Sequence, residues 1–502
     1  MSVKMKWADY LFYGSLILIS ILVFAIPYGL SPILVPDSSA YLAGTLSQGI
    51  VPVYPLFISL NKLIFSQAYY LQVIVIEQVL FAVCVTVYFV LFIRKAMGAG
   101  RGETYLFLLL VLIPYTVLMP DGMTSRFIVT EALAYPFFYL LMASVLKGIW
   151  GNKFSSVIIA EVLAISMALT RTQLQLVLVI PVGAFFLLWM RGKVRNEKMR
   201  RLPRAVTGIL LSSVIFLLSY GIYRQSNLAL QRVLVWTMSA ADVSTETQEE
   251  VEADAGGDEK KDAIMAEATV ESSPAESSQN IASQFSTVIF IKVMIMAERD
   301  DADLFQDAGM RQLYTYVYDR LEQEQLVFGA MDKNLLIADQ LQAGLDKISR
   351  VMSQYLNDFV IEYPNSEVNT SRAVSEFSTV LLKAHPFRWL ISGVLQLPFG
   401  LISSVFIHRR NIYWVSYLMT ALIYGSAIGL CIMRKKDVRQ KEFMVLCIGV
   451  NLLFVVATSM VFVSQKRYVN YGFGVFYISL YFMIKGYIVD LIQKRQKVKK
   501  GC

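Results

Sequence analysis

Apolar residues fall in long runs separated by short polar breaks. A helix needs roughly 20 residues to cross ~30 Å of hydrocarbon, and about ten runs approach or meet that length. They are 10–30, 71–93, 104–119, 127–147, 155–170, 174–190, 205–223, 412–432, 442–463 and 471–489. Two stretches interrupt the series. Residues 239–283 are rich in Glu, Asp, Ser, Ala and Thr and poor in aromatics, so they bury too little surface to fold and read as a disordered acidic linker. Between 284 and 386, in MRQLYTYVYDRLEQEQ and LLIADQLQAGLDKISRVMSQYLNDFVIE, apolar residues recur every three or four positions. That is the period of amphipathic helices, and it predicts a small helical domain outside the membrane.

Residues 387–407 (FRWLISGVLQLPFGLISSVFI) are apolar, yet Pro386, Gly393, Pro398 and Gly400 make them a poor straight span. They read as an interfacial or re-entrant helix. The prediction is an all-α polytopic membrane protein in four parts: a membrane module 1–238 whose first external loop is 31–70, the linker 239–283, the helical domain 284–386, and a second membrane module 387–502. A rival threading lets 285–298 and 387–407 both cross, which moves the helical domain inside; its first segment is short and carries Lys292.

Composition agrees, with 56% hydrophobic residues, 17% charged residues and a mean hydropathy of +0.53. The first run follows Lys4 and Lys6 without a small-residue cleavage site, so it reads as an uncleaved span. The net charge of +8 lies in short loops, where basic residues orient a membrane protein, and does not imply nucleic acid. The densest basic loop, RGKVRNEKMRRLPR at 191–204, belongs in the cytoplasm by that rule. Counting back from it places Asp37, Asp121 to Arg126 and Arg171 outside. Keeping Arg434-Lys435-Lys436 and the tail KRQKVKK inside requires that 387–407 does not cross. The cysteines Cys84, Cys431, Cys447 and Cys502 are scattered and suggest neither a disulfide framework nor a thiolate metal site, and two histidines make no metal cluster.

The chemistry-bearing candidate is SPILVPDSSAYLAGTLSQGIVPVYPLF, residues 31–57, with the single acid Asp37. A carboxylate between apolar segments is costly and calls for a reason. Asp37 and Tyr41, four apart, share one face of a short helix begun by Pro36 and Ser38. Glu131 and Tyr135 repeat that spacing in TEALAYP, although Glu131 could equally be a structural ion-pair partner for Arg126 or Arg171. Three further elements are Ala-Leu-Thr-Arg-Thr-Gln at 168–173, Lys-Ala-His-Pro-Phe-Arg-Trp at 383–389, and Gln465-Lys466-Arg467-Tyr468.

In order and position these elements, with Tyr54-Pro55-Leu56, resemble the GT-C superfamily of membrane glycosyltransferases, which includes protein O-mannosyltransferases and aminoarabinose transferases. The resemblance implies transfer of a sugar from a polyprenyl-phosphate donor at the outer membrane–water boundary, with Asp37 as general base and Glu131 as the second acidic residue. It implies Arg171, Lys466 and Arg467 as donor-phosphate ligands, since guanidinium groups take phosphate bidentately and stabilise a departing phosphate. Tyr41, Tyr54, Tyr135, His385 and Tyr468 would line the substrate pocket. The resemblance fixes no cofactor; a divalent metal ion stays open, with Asp37 and Glu131 as the oxygen ligands at hand. The expected partners are the lipid-linked donor, membrane lipids and an acceptor protein, lipid or cell-wall glycan, in a bacterial plasma membrane. A transporter or lipid flippase without transferase activity is the alternative, and a non-enzymatic scaffold the third reading.

Overall fold

The computed structural model describes residues 7–25, 31–42, 51–116, 126–191, 201–253, 289–332, 337–364, 368, 370–406, 413–434, 437–460 and 469–500. Among these residues the regular structure is helical, and the one β-type pairing is an isolated parallel bridge between Ile33 and Phe127. Among the described residues nine helices are long and apolar enough to cross a membrane: Trp7–Phe24, Tyr70–Met97, Glu131–Gly151, Gln173–Arg191, Val206–Val235, Pro386–Val405, Trp414–Met433, Val438–Met460 and Asn470–Gln496. The chain is an all-α polytopic membrane protein. It divides into two compact units, Met1–Thr116 with Met123–Ile281, and Val117–Gly122 with Ala282–Cys502.

The first unit contains α1 (Trp7–Ala25), α2 (Pro36–Leu42), α3 (Val53–Ile64), α4 (Tyr70–Met97), α5 (Arg101–Leu112), α6 (Glu131–Gly151), α7 (Phe154–Ala168), α8 (Val179–Arg191) and α9 (Arg201–Ala253). Local chemistry sets several ends. Gly98, at φ 67°, closes α4 in the left-handed region behind Arg94 and Lys95, which suit the negative end of a helix dipole. Glu103 accepts from the Gly100 amide at 2.7 Å and caps the start of α5. Pro114 then turns the run 104–119 into a short 3₁₀ turn at Ile113–Tyr115, so α5 has only 12 residues. The run 155–170 is likewise shorter than a span, because extended backbone at Arg171 follows the 15 residues of α7.

The 53-residue helix α9 inverts the usual pattern. Its buried stripe holds Gly208, Ser212, Ser219, Tyr223, Asn227, Leu234 and Thr237, while Leu210, Leu217, Leu218 and Ile222 face outward. Small and hydroxyl-bearing residues let membrane helices approach closely, and lipid accepts the leucines. A Cβ on Gly208 would come within 2.8 Å of Trp189 on α8, which shows how close that approach is. The helix continues to Ala253, so the first part of the stretch expected to be structureless is helical; positions 254–283 lie outside the described residues.

The second unit holds the helical domain. Around a core that includes Leu313, Val317, Leu345, Ile348, Phe359 and Phe377 it packs a helical turn at 289–294, a 3₁₀ turn at Arg299–Leu304, and helices α10 (Ala308–Gln323), α11 (Ile337–Glu362) and α12 (Thr370–Ala384). Asp307 caps α10 by accepting from the Met310 amide at 2.7 Å. The segment that the rival threading sends across the membrane is therefore part of this core through Phe290, Ile291, Met294 and Ile295, and only its first six described residues are helical.

Helices α13 (Pro386–Val405), α14 (Tyr413–Met433), α15 (Val438–Met460) and α16 (Phe473–Lys500) complete the unit. The break expected at Pro398 is not there: α13 is one continuous helix and belongs to the nine that could cross by length and composition. Its glycines are packing surfaces rather than breakers. A Cβ on Gly393 would meet Met460 Sδ at 2.5 Å, and one on Gly400 would meet Val455 at 2.9 Å, so both mark the close seam with α15.

Candidate functional site

The residue that organises the Asp37 loop is its neighbour. Ser38 is buried; its hydroxyl donates to the Ile128 carbonyl at 2.8 Å and accepts from the Val35 amide at 2.9 Å. The bridge beside it joins Ile33 N to Arg126 O and Ile128 N to Ile33 O, both at 3.1 Å. These bonds hold the start of α2, where Asp37 is the second residue, against the segment that leads into α6. Glu131 is the first residue of that helix. Two acidic motifs nearly a hundred residues apart are thus brought to one place.

Glu131 is fully buried and forms an ion pair with Arg171, also buried. Thr130 Oγ1 donates to Glu131 Oε2 at 3.1 Å and accepts from Arg171 at 3.1 Å, while Arg171 Nε donates to Gln173 Oε1 at 2.9 Å. The extended backbone of Arg171, φ −157° and ψ 129°, stops the chain from continuing α7 and lets the side chain reach α6. The candidate acid and the candidate phosphate ligand are therefore each other's partner. Glu131 neutralises Arg171, and removing either would strand a buried charge.

Tyr54 forms the wall beside them. Gln78 Nε2 donates to its hydroxyl at 2.7 Å, the hydroxyl also bonds the backbone of Val129, and its ring meets that of Tyr41 edge-on at 5.3 Å. Burial above all, with Tyr41 and Glu131 nearby, pushes the Tyr54 hydroxyl well above the ordinary tyrosine value, so it stays a neutral phenol. Tyr135 is buried one turn after Glu131 and packs its ring on Tyr115 at 5.4 Å. Asp37, Tyr41, Tyr54, Glu131, Tyr135 and Arg171 all belong to the first unit.

His385 belongs to the second unit and to a different assembly. Its Nε2 lies 2.9 Å from Asp301 Oδ1, Arg388 donates to Asp301 Oδ2 at 2.5 Å, and Arg388 also pairs with Glu298 at 2.8 Å. Tyr314 donates to the Glu298 carbonyl at 2.8 Å; burial, with the Asp301 charge behind it, raises its hydroxyl above the usual range. This knot fastens the 3₁₀ turn of the helical domain to the first turn of α13. Lys466, Arg467 and Tyr468 lie outside the described residues.

Among the described residues, no group of three His, Cys, Asp or Glu side chains is placed to hold a metal. Sequence reasoning named Ser38 only as a helix start and passed over Gln78 and Asp301; the roles of all three come from distant partners. It also passed over Glu161, for which a signal existed: a lone acid inside the apolar run 155–170. Lys292 was noted only as an obstacle to crossing. Its buried amine donates to the Ser459 carbonyl at the end of α15 and reaches Gln396 Oε1 at 3.4 Å, and burial lowers it to about 7. No family model, curated protein or solved structure matches the chain.

Proposed function

We propose that the chain is a GT-C type glycosyltransferase that moves a sugar from a polyprenyl-phosphate donor to an acceptor hydroxyl at the outer face of a bacterial plasma membrane. The observation that carries this reading is the Ser38-centred clamp, which sets the Asp37 helix beside the Glu131–Arg171 pair as the motif order implies. In the reaction the acceptor oxygen attacks the anomeric carbon, its proton passes to the Asp37 carboxylate, and the bond from that carbon to the phosphate oxygen breaks. Polyprenyl phosphate leaves with the electron pair. Glu131 acts here by fixing Arg171, not as a second base. Arg171 shares its charge between Glu131 and the departing phosphate.

Asp37→Asn removes the base and keeps the shape. With a panel of polyprenyl-phosphate sugars and purified protein, transfer or slow donor hydrolysis should disappear in this variant while donor protection against heat persists. Turnover close to that of the natural chain would remove Asp37 from the mechanism. The transporter reading draws on one observation, the polar stripe that α9 buries, and it predicts donor binding without sugar release in both proteins.

A further inference from the structure

Glu161 stands at the centre of α7, in FSSVIIAEVLAISMA, with no other charged residue on that helix. Around it Ile158, Ile159 and Val162 face outward, so the helix surface at this level is apolar. The Ser219 hydroxyl of α9 bonds the carboxyl, and the other oxygen, Oε1, is shielded from solvent without a hydrogen-bond partner among the described residues. Among the described residues, the elements packed against α7 show no ion pair to it. Lys147 and Lys153 flank the α6–α7 turn, Arg191 ends α8 and donates to the Ile149 carbonyl, and Arg224 is exposed on α9. Glu131, the acid of α6, is matched by Arg171, and the acids of α9, Asp242, Glu246, Glu249, Glu250 and Glu252, all lie more than twenty residues beyond Ser219.

An ionised carboxylate in apolar surroundings without a cation is far more costly than the neutral acid, and ionisable groups at membrane level are seldom structural ornaments. The stripe around Ser219 is suited to passing protons. Two turns along α9, Ser212 presents a buried hydroxyl without a partner among the described residues, and one turn the other way Tyr223 bonds Gln175 at 2.8 Å. Gln175 lies four residues beyond Arg171, in the 3₁₀ turn Thr172–Leu178. We propose that Glu161 is a proton-binding site within the membrane part of the first unit, loaded and emptied along the hydroxyl-bearing stripe of α9. This site is independent of sugar transfer.

Dicyclohexylcarbodiimide tests the assignment, because it reacts with a protonated carboxyl in apolar surroundings and leaves a stable N-acylurea. The full-length protein in detergent is treated from acidic to alkaline pH, and the adduct is located by peptide mass mapping. The expected result is one dominant adduct, at Glu161, that fades as pH rises. Glu161→Gln should lose it while keeping its elution volume. Ser219→Ala, which removes the bond that favours the ionised form, should retain labelling to higher pH, and this arm stands even if the glutamine variant fails to fold. Absence of the adduct at every pH, labelling at Glu161 by a water-soluble carbodiimide and amine as readily as by the apolar reagent, or a pH profile unmoved by Ser219→Ala would overturn the proposal.

Discussion

Helix α9 and the helical domain solve the same problem in opposite directions. The domain hides Leu313, Val317 and Phe377 and turns its charges outward, as in Arg320 with Glu362 and Lys347 with Glu324. The helix α9 hides Ser219, Tyr223 and Asn227 and shows Leu217 at 67% exposure. Water drives the first arrangement, because burying apolar surface is the dominant favourable term there. Hydrocarbon offers no such drive, so a helix in it gains by putting its polar and small groups against neighbours. Side-chain placement alone thus tells which solvent each region meets.

If internal polar pairs hold the first unit together, Arg171→Ala should cost the most, about 3–5 kcal/mol, because it leaves Glu131 buried and uncompensated. A melting temperature of the detergent-purified protein unchanged by this variant would dissolve the contrast. Next comes Leu313→Ala in the domain core, where a fully buried leucine should cost about 2–5 kcal/mol by loss of burial and a residual cavity. The same change at Leu217 on α9 should stay within about 0.5 kcal/mol, because the side chain has little protein packed against it. Equal losses at the two leucines would show that α9 is covered by something other than lipid.

The smallest effect concerns pH. Hydrogen bonds from Lys347 and then Tyr355 hold Glu324 below the ordinary glutamate value. Its contribution is present above the unfolded value, ~4.3, and fades as pH falls through the lower folded value. Glu324→Gln should therefore make the domain slightly less dependent on pH in the acid range, read by circular dichroism. The pair is largely exposed, so screening keeps the change small.

Most of the membrane helices were legible because an apolar run of spanning length needs no tertiary partner to declare itself. The differences sit where one residue had two readings. Gly393 and Gly400 read as helix breakers in the sequence and proved to be contact surfaces, since a missing side chain both frees a backbone and lets another helix approach. Pro114 was lost within an apolar run and shortened α5. At the candidate site the acidic motifs could be named from spacing, but not the ion pair that Glu131 makes with Arg171. His385, grouped with the pocket residues by motif order, is committed to Asp301 in the second unit.

Hydropathy and charge by themselves determined that this chain is an all-α membrane protein with an amphipathic helical stretch between its apolar runs, and that it bears few acids among those runs. Those are properties of the residues against their solvent. Tertiary structure alone decided which acid is neutralised and which has no cation among the described residues, because that depends on what the fold brings beside Glu131 and Glu161. Pair interactions fall off within a few ångströms, and a sequence does not record such distances between residues far apart along the chain.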